Sequence, residues 1–459
     1  MPEPGDRPAA GRQVAGLASR SPRLPDRPAS REPPPISRDP ESMSSEPAPA
    51  LESIPAPDPR KVAIHIDRSG ERQLRKRHPW LFEQGVRSQS HEGRTGDIAV
   101  VFDHNRNFLA VGLYDPHSTL RVRVLHAGKP IRVDEAFFTR RIAELAEARS
   151  GFDPLRTDGF RLVHGENEGM PGFILDRYAD TLVLKLYTPA WIPHLRSVLP
   201  GLRSLPGVER LVLRLGRKVQ ARPDELFGLE DGQVLFGSSS PEPVVFLENG
   251  MRFECDPVRG QKTGFFLDQR ENRARVEQLS RDREVLNVFS YSGGFSLFAA
   301  RGGARHVVSL DKSRPALDAA ERNFALNADD PTISAAQHEV LGADAFQGMK
   351  ELAEAGRRFG LLIIDPPSFA HRQDDVPRAL VSYRRLAELI PALLRPNGLL
   401  VFASCSARIG ADDFFRTVLR ALQGSGREVQ EFDRTAHASD HPVGFAQGAY
   451  LKCLYAKAP

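Results

Sequence analysis

Apolar runs and amphipathic stretches alternate along residues 248–459 of the chain. The runs are "EVLNVFS", "HVVSLD", "LLIIDPPSF" and "GLLVFASCS", and stretches with helical spacing of apolar positions follow them, among them "GGFSLFAARGG" and "RALVSYRRLAELIPALL". Near-continuous apolar strands that alternate with helices are typical of a parallel sheet covered on both faces. The pattern therefore predicts an α/β domain over residues 248–459.

The patterns upstream of this domain are different. Residues 61–128 contain short β-type runs such as "KVAIHI", "DIAVVFD" and "LRVRVL", separated by turn residues, and predict a small all-β module. Residues 129–247 combine the helical stretch "VDEAFFTRRIAELAEAR" with the hairpin-like run "GFILDRYADTLVLKLY", and predict a central α+β domain whose hairpin turns at Ala179 and Asp180. Residues 1–58 are rich in Pro, Ser, Ala, Arg and Glu without apolar periodicity, which predicts a disordered tail.

The composition narrows the class of protein. The chain has 459 residues, of which 40% are hydrophobic and 27% charged, as in ordinary soluble proteins of several domains. Its three cysteines are far apart in no metal-ligand spacing, which argues against a disulfide framework or a zinc site and suits a reducing compartment. The chain has neither an apolar run of membrane-spanning length nor a signal-peptide core. These features predict a cytoplasmic protein without a membrane partner.

A basic cluster lies in the all-β module. The formal net charge is only +4, but the stretch "RQLRKRHPW" places Arg75, Lys76 and Arg77 beside Trp80. Cations suit phosphates and an exposed indole suits a stacked base, so the stretch is a candidate RNA-binding surface. The alternative is a solvated charged loop whose tryptophan packs into the barrel.

Polar residues at the ends of the predicted parallel strands are the candidates for ligand binding, because ligands bind beyond the carboxyl ends of such strands. The first strand runs into "FSYSGG", where Gly293 permits close backbone approach to a ligand. The second strand ends at Asp311, which is suitably placed to bind ribose hydroxyls. Asp344 follows a weaker strand and is a candidate either for an adenine amino group or for a helix cap. The GxGxxG fingerprint is missing, which counts against NAD and FAD.

The turn "IIDPPSF" is the most specific signal. Two consecutive prolines make the backbone rigid and remove two amide donors. Such a turn is suited to present Asp365 and the backbone at Pro366 to the polar edge of a base while Phe369 stacks on its face.

Several fragments resemble one known family of enzymes. "QKTGFFLDQRENR", "LNVFSYSGGFSLFAA", "SLDKS", "NFALN", "IIDPPSF", "FASCS" and "DHPV" are similar to class I S-adenosylmethionine-dependent methyltransferases that make 5-methylcytosine in large-subunit (23S) ribosomal RNA. The resemblance covers residues 61–459 and implies an N-terminal PUA-like RNA-binding β-barrel, a central domain and a Rossmann-like domain with a seven-stranded sheet. It implies ribosomal RNA as partner, S-adenosylmethionine as cofactor, and a cofactor site formed by Arg270, Phe289, Tyr291, Gly293, Asp311 and Asp344.

The resemblance gives a role to Cys405 in "SCS". Carbon 5 of cytosine is a poor nucleophile, and addition of a thiolate to C6 activates it. Cys405 is therefore the candidate nucleophile and Asp365 the group that hydrogen-bonds the cytosine edge. Asp440 or His441 is a possible base for the C5 proton, although a capping or turn role is favoured. Cys255 and Cys453 lie in apolar runs and are expected in the core.

Three other functions remain open at this stage. Enzymes that methylate nitrogens of guanine or adenine also carry Asp-Pro-Pro turns, and they need no cysteine. A non-catalytic RNA-binding protein would keep the fold without the chemistry, which the intact motifs argue against. A nicotinamide-dependent oxidoreductase is disfavoured by the missing glycine fingerprint.

Overall fold

Six strands between residues 62 and 127 form the first sheet. The computed structural model of the chain describes residues 51–426 and 428–459. The strands are β1 (Val62–Ile66), β2 (Trp80–Phe82), β3 (Val86–Gln89), β4 (Ile98–Phe102), β5 (Phe108–Tyr114) and β6 (Leu120–Ala127), in the order β2-β6-β5-β4-β1-β3. The expectation of an all-β module is wrong at one place, because helix α1 (Arg68–Arg75) follows β1. Asp67 caps this helix by accepting a hydrogen bond from the Gly70 amide at 2.7 Å.

A second, five-stranded sheet follows with its helices. The strands β7 (Gly159–His164), β8 (Phe173–Tyr178), β9 (Thr181–Leu186), β10 (Arg210–Leu215) and β11 (Val234–Phe236) lie in the order β11-β10-β9-β8-β7. The helices are α2 (Glu135–Glu147), α3 (Leu195–Arg203) and α4 (Arg217–Gln220). The predicted hairpin is confirmed: β8 and β9 pair antiparallel around a turn in which Ala179 has a φ of 53°.

The third part contains a hairpin and a seven-stranded sheet. Strands β12 (Val244–Glu248) and β13 (Met251–Cys255) form the hairpin. The sheet strands are β14 (Glu284–Val288), β15 (His306–Asp311), β16 (Gln337–Gly342), β17 (Phe359–Ile364), β18 (Leu394–Ser404), β19 (Gln430–Thr435) and β20 (Lys452–Lys457). Their order is β16-β15-β14-β17-β18-β20-β19, and the first five strands are parallel. The α/β fold with a seven-stranded sheet is confirmed.

Helices cover the large sheet. They are α5 (Arg270–Leu279), α6 (Gly294–Arg301), α7 (Arg314–Leu326), α8 (Pro331–Ala335), α9 (Ala345–Glu354), α10 (Val376–Leu393) and α11 (Ala411–Gly424). No helix within residues 51–426 and 428–459 is long and apolar enough to cross a membrane.

The three sheets share their hydrophobic cores. Leu113 of the first sheet and Leu184 of the second belong to one buried cluster, and Val183 belongs to a cluster that also contains Phe298 of the large sheet's helix α6. Leu51 and Ile54 are buried in the first of these clusters. The prediction of a disordered tail is therefore wrong for these two positions, and its part over residues 1–50 lies outside the described residues. Because the five-stranded and seven-stranded sheets contribute to the same hydrophobic cluster, the five-stranded sheet is held beside the seven-stranded one.

Two asparagines of the "NFALN" stretch attach the β12–β13 hairpin to helix α7. Asn327 accepts a hydrogen bond from the Arg252 amide at 2.9 Å and donates one to the Arg252 carbonyl at 2.7 Å. One turn earlier, Asn323 accepts from the Glu254 amide at 2.8 Å. The two side chains form hydrogen bonds with backbone groups at the outer edge of β13, which has no neighbouring strand on that side to pair with them.

We expect Asn327→Ala to lower the free energy of unfolding by about 1–3 kcal/mol, because it leaves two polar backbone groups of β13 without partners. Urea denaturation followed by circular dichroism measures the change. Arg322→Ala on the same helix is the matched control, since it removes only an exposed ion pair with Glu254, and such pairs contribute about 1 kcal/mol or less. Equal losses in the two variants would contradict a structural role for the asparagine.

Candidate functional site

A cavity of about 390 Å³ lies at the carboxyl edge of the seven-stranded sheet. Its walls come from residues that end or directly follow four of the parallel strands, and from the loop between the β12–β13 hairpin and α5. The strand-end residues are Phe289, Asp311, Asp365 and Cys405, and the loop contributes Gln261, Lys262, Phe265, Phe266, Asp268 and Gln269. The cavity therefore occupies the position that the strand pattern predicts for a ligand.

The "FSYSGG" loop has an unusual backbone. Phe289 and Tyr291 have φ angles of 63° and 49°, in the left-handed region that residues other than glycine seldom adopt. The Tyr291 amide donates a hydrogen bond to Asp311 at 2.9 Å, and the other oxygen of Asp311 accepts one from the Ser313 amide at 2.8 Å. Asp311 thus joins the loops that follow β14 and β15. A residue other than glycine in this conformation destabilises the fold by about 1–3 kcal/mol, so it persists only where the surrounding structure holds it. Such residues cluster at ligand sites.

The same loop offers hydrogen-bonding groups to a ligand. The Ser290 and Ser292 side chains line the cavity, and their hydroxyl oxygens are buried without a protein partner within the described chain. Buried hydroxyls of this kind are normally satisfied, by an ordered water or a ligand where no protein group is near. Gly293 has a φ of 76°, and a Cβ there would lie 2.8 Å from the Cβ of Ala320. Asp344 lines the cavity and also caps α9, accepting from the Phe346 amide at 3.0 Å.

Asp365 is held by an amide side chain. Gln269 donates a hydrogen bond from Nε2 to Oδ2 of Asp365 at 3.0 Å, and Asn272 donates in turn to Oε1 of Gln269. Oδ1 of Asp365 accepts no hydrogen bond from the described residues. Burial, and then the negative charge of Asp268, raise the pKa of Asp365 to about 7. The protonated form of Asp365 is therefore much more accessible at neutral pH than that of an exposed aspartate.

Cys405 lies beside the Asp-Pro-Pro turn. Its thiol is 3.8 Å from the carbonyl oxygen of Pro366, to which it donates. The flanking serines both bond to Tyr383 of α10, with oxygen–oxygen distances of 2.8 Å to Ser404 and 3.1 Å to Ser406. The "SCS" segment is thereby fixed from behind, so that the half-buried Cys405 alone faces the cavity.

Two lysines act on the thiol electrostatically. Burial raises the pKa of Cys405 to about 11, Lys262 and Lys452 oppose this rise, and Asp365 adds to it. Lys452 is buried and donates to the carbonyl oxygens of Ser406 and Ile409, at 2.6 and 2.7 Å. Lys262 lines the cavity with its ammonium 4.3 Å from the centre of the Phe266 ring. Two cations that favour the thiolate therefore act on Cys405.

Four of the residues proposed from the sequence for the cofactor or the chemistry lie outside the cavity lining. One is Gly293, where a Cβ would meet Ala320 of α7, and its neighbour Gly294 lines the cavity instead. Arg270 is buried in a bidentate ion pair with Asp440 and lies 4.6 Å from the centre of the Phe152 ring. Its predicted place over the cofactor is therefore wrong, and Arg273, one turn later on α5, lines the cavity instead. Asp440 and His441 are both buried, and Oδ1 of Asp440 bonds to Nδ1 of His441 at 2.8 Å. They form part of the core and not of the cavity wall.

The basic cluster of the first sheet is only partly available for RNA. Arg75 pairs with Glu71 at 2.7 Å and with Asp103 at 3.1 Å, while Lys76 and Arg77 are exposed. Trp80 is half-buried, and its Nε1 donates to Glu166 at 3.3 Å. Pro366 and Phe369, the two candidates on the Asp-Pro-Pro turn, line the cavity.

Among the residues of this site that sequence reasoning missed are Lys262, Gln269, Tyr383 and Lys452. The first two lie in "QKTGFFLDQR", a stretch that carries the family resemblance, so a signal for them was present. Tyr383 is one of many apolar-face residues of α10, and Lys452 interrupts an apolar run, so neither has a signal of its own.

The raised pKa of Cys405 has a measurable consequence. Because the thiolate is the reactive form, we expect the rate of Cys405 alkylation by iodoacetamide to rise about tenfold per pH unit from pH 8 to pH 10. An ordinary thiol with a pKa of about 8.5 would already level off in this range. Peptide mapping by mass spectrometry separates Cys405 from Cys255 and Cys453, which are buried.

Lys262→Met is the companion variant for this measurement. It removes a partly exposed cation that favours the thiolate, so alkylation of Cys405 at pH 8 should become slower still. A rate that levels off near pH 8 in the parent protein, or that rises in the variant, would contradict this description of the thiol.

Comparison with known families agrees with the geometry. The profile of a family described as S-adenosylmethionine-dependent methyltransferase matches residues 223–437, and that of a PUA-like domain matches residues 64–127. The chain is 47% identical over 408 residues to a "Ribosomal RNA large subunit methyltransferase" of Deinococcus radiodurans, covering 88% of this chain and 99% of the relative. It is 33% identical over 400 residues to a "Ribosomal RNA large subunit methyltransferase I" of Pseudoalteromonas translucida, covering 86% and 99%.

Solved structures share the fold. One described as "a putative sam-dependent methyltransferase from Streptococcus mutans" superimposes with a TM-score of 0.72 at 21% identity, covering 86% of this chain and 99% of that one. The family resemblance noted in the sequence is confirmed, as are the PUA-like domain and the methyltransferase fold. The chain belongs to the S-adenosylmethionine-dependent ribosomal RNA large subunit methyltransferases.

Proposed function

We propose that this enzyme transfers a methyl group to carbon 5 of a cytosine in 23S ribosomal RNA, through a covalent adduct with Cys405. The observation that carries the proposal is the placement of Cys405 in the cavity wall, with its thiol 3.8 Å from the backbone of the Asp-Pro-Pro turn. The relatives' names support ribosomal RNA of the large subunit as the substrate. An unpaired cysteine as nucleophile also fits the reducing environment of the cytoplasm.

Methylation of carbon 5 requires a nucleophile near the cytosine ring. The Cys405 thiolate adds to C6 of cytosine, and the electrons of the 5,6 double bond become available at C5. S-adenosylmethionine, when bound, supplies a methyl group on a positively charged sulfur. Loss of the C5 proton to a base or water and departure of the thiolate then restore the double bond, so the thiolate that began the cycle is recovered.

Asp365 is suited to stabilise the ring during thiolate addition. Because the Gln269 amide donates to Oδ2, a proton on this carboxyl resides on Oδ1, which has no bond to the described residues. A protonated Oδ1 donates to N3 of cytosine, where negative charge develops as the thiolate adds. Asn272 fixes the orientation of Gln269, and the hydroxyl of Tyr455 donates to Oδ1 of Asn272 at 3.0 Å. We therefore assign Gln269 and Asn272 to positioning Asp365.

The cofactor is assigned to the other part of the cavity. The proposed contacts are backbone groups of the "FSYSGG" loop around Phe289, Tyr291 and Gly293, the carboxylate of Asp311 for ribose hydroxyls, and Asp344 for the adenine amino group. The hydroxyls of Ser290 and Ser292, which have no partner among the described residues, are consistent with a polar ligand or a water at this place. Asp311 already accepts two backbone amides, so it also maintains the shape of the loop.

For RNA, we propose two groups of contacts. Pro366 and Phe369 contact the target base inside the cavity, since both line it. Lys76 and Arg77 contact phosphates, because both side chains are exposed in the turn after helix α1. Arg75 contributes less, since its guanidinium is already paired with two carboxylates, and Trp80 offers only the exposed part of its ring.

We expect the parent enzyme to form a stable covalent complex with RNA that contains 5-fluorocytosine at the target position. Fluorine is not eliminated as a proton is, so the bond between the Cys405 sulfur and C6 persists. The complex is visible as a shifted band on a denaturing gel, and peptide mapping identifies the attached residue.

Cys405→Ala should lose turnover and the shifted band while keeping its fold, because removal of one sulfur atom at a half-buried strand end leaves little cavity. Cys453→Ala is the control for a cysteine in the core. Methyl transfer by Cys405→Ala at the parent rate would overturn the covalent mechanism and favour methylation of a ring or exocyclic nitrogen.

A further inference from the structure

The central sheet presents an exposed aromatic ring next to the catalytic cavity. Tyr187 directly follows β9 and is 50% exposed, which makes it one of few large hydrophobic side chains left open in the described part of the chain. Scattered exposed apolar residues are normal, but a tyrosine ring surrounded by cations is a recurring base-stacking arrangement. The surroundings of Tyr187 therefore matter.

Two lysines connect Tyr187 to the cavity. Lys185 is two residues earlier on β9, so both side chains leave the same face of the strand, and its ammonium lies 5.9 Å from the centre of the Tyr187 ring. The same ammonium donates to the carbonyl oxygen of Lys262 at 2.8 Å. Lys262 lines the cavity beside Phe266. The Tyr187 ring is therefore connected to the cavity wall through Lys185 and Lys262.

Two more cations follow a residue that lies close to the ring. A Cβ at Gly216 would be 3.4 Å from Cδ1 of Tyr187, so helix α4 begins next to the ring. Its first two residues, Arg217 and Lys218, are exposed and form no ion pair with the described residues. We call Tyr187, Lys185, Lys262, Arg217 and Lys218 the basic platform.

The platform has the chemistry of a surface for single-stranded nucleic acid. Within the described part of the chain, Lys262 is the one of these four cations that pairs with a carboxylate, at 3.5 Å from Asp268, so positive charge remains available for phosphates. Unpaired bases stack on exposed aromatic rings without regard to sequence. A protein partner with an acidic surface would use the cations but would not account for a half-exposed ring next to a base-binding cavity.

We propose that the basic platform holds the nucleotide adjacent to the methylated cytosine, with its base stacked on Tyr187 and its phosphate between the flanking cations. This inference rests on the proposed function, because it requires that the target base leave its helix and enter the cavity. Extrusion of a base removes a stacking partner from its neighbour. Tyr187 replaces that partner, and the central domain thereby becomes part of the RNA-binding surface.

The first test measures how much the Tyr187 ring contributes to RNA binding. Tyr187→Ala should weaken binding of a 23S ribosomal RNA transcript about 5- to 100-fold, with KM rising similarly and kcat nearly unchanged at saturation. Tyr187→Phe keeps the ring and should bind within about twofold of the parent. Phe432→Ala is the matched control, since Phe432 is an aromatic side chain of similar exposure, 43%, on the edge strand β19.

The second test measures how much Arg217 and Lys218 contribute to the salt dependence of RNA binding. The double variant Arg217→Ala, Lys218→Ala should reduce the slope of log K against log salt by about 0.7 for each phosphate that the protein no longer neutralises. Calorimetric binding of S-adenosylhomocysteine should be unchanged in every variant. RNA binding of Tyr187→Ala within twofold of the parent, an equal loss in Phe432→Ala, or loss of S-adenosylhomocysteine binding together with RNA binding would overturn the proposal.

The outcomes separate this proposal from the proposed chemistry. Nucleoside mass spectrometry of the methylated RNA identifies the product independently of affinity. Weakened RNA binding by Tyr187→Ala with a product other than 5-methylcytosine would support stacking on Tyr187 beside the modified base, whichever base that is, and would refute the chemistry. A 5-methylcytosine product with unchanged binding by Tyr187→Ala would refute the platform alone.

Discussion

Parallel pairing of β17 with β18 is the constraint on which the site depends. In this register Ile364 lies opposite Phe402, so the residues that follow both strands emerge at the same edge of the sheet. Asp365 and Cys405 consequently reach one cavity although 40 positions of sequence separate them. The Asp-Pro-Pro turn cannot move away, since its prolines restrict the backbone, and Tyr383 fixes the serines on both sides of the cysteine.

The central domain is joined to this edge by buried charges. Asp440 accepts a hydrogen bond from the Arg161 amide at 2.7 Å and pairs with Arg270 of α5, so one carboxylate connects the central sheet to the methyltransferase domain. Nearby, the Tyr450 hydroxyl donates to Asp268 in the cavity wall at 2.8 Å. Breaking a buried pair of this kind is strongly destabilising. The "DHPV" segment therefore keeps the central sheet, with Tyr187, beside the cavity.

The sequence predicted those parts of the site that follow from strand periodicity. Asp311, Asp365 and Cys405 each end an apolar run, and parallel strands bring such ends together. Lys452 was not predictable in this way, because it approaches the "SCS" segment only through antiparallel pairing of β20 with β18, where it lies opposite Ser404. Arg270 was placed wrongly because its motif does not show which face of α5 is buried. Packing against Phe152, far away in sequence, decides that.

Release of the C5 hydrogen tests the central claim most directly. Ribosomal RNA labelled with tritium at C5 of cytidine is incubated with the enzyme and S-adenosylmethionine, and tritium in water is counted against methyl groups incorporated. Covalent activation of C5 by Cys405 predicts one tritium released for each methyl transferred, with neither event in Cys405→Ala. Methyl incorporation with full retention of tritium would contradict methylation at C5 and would assign the transfer to another atom.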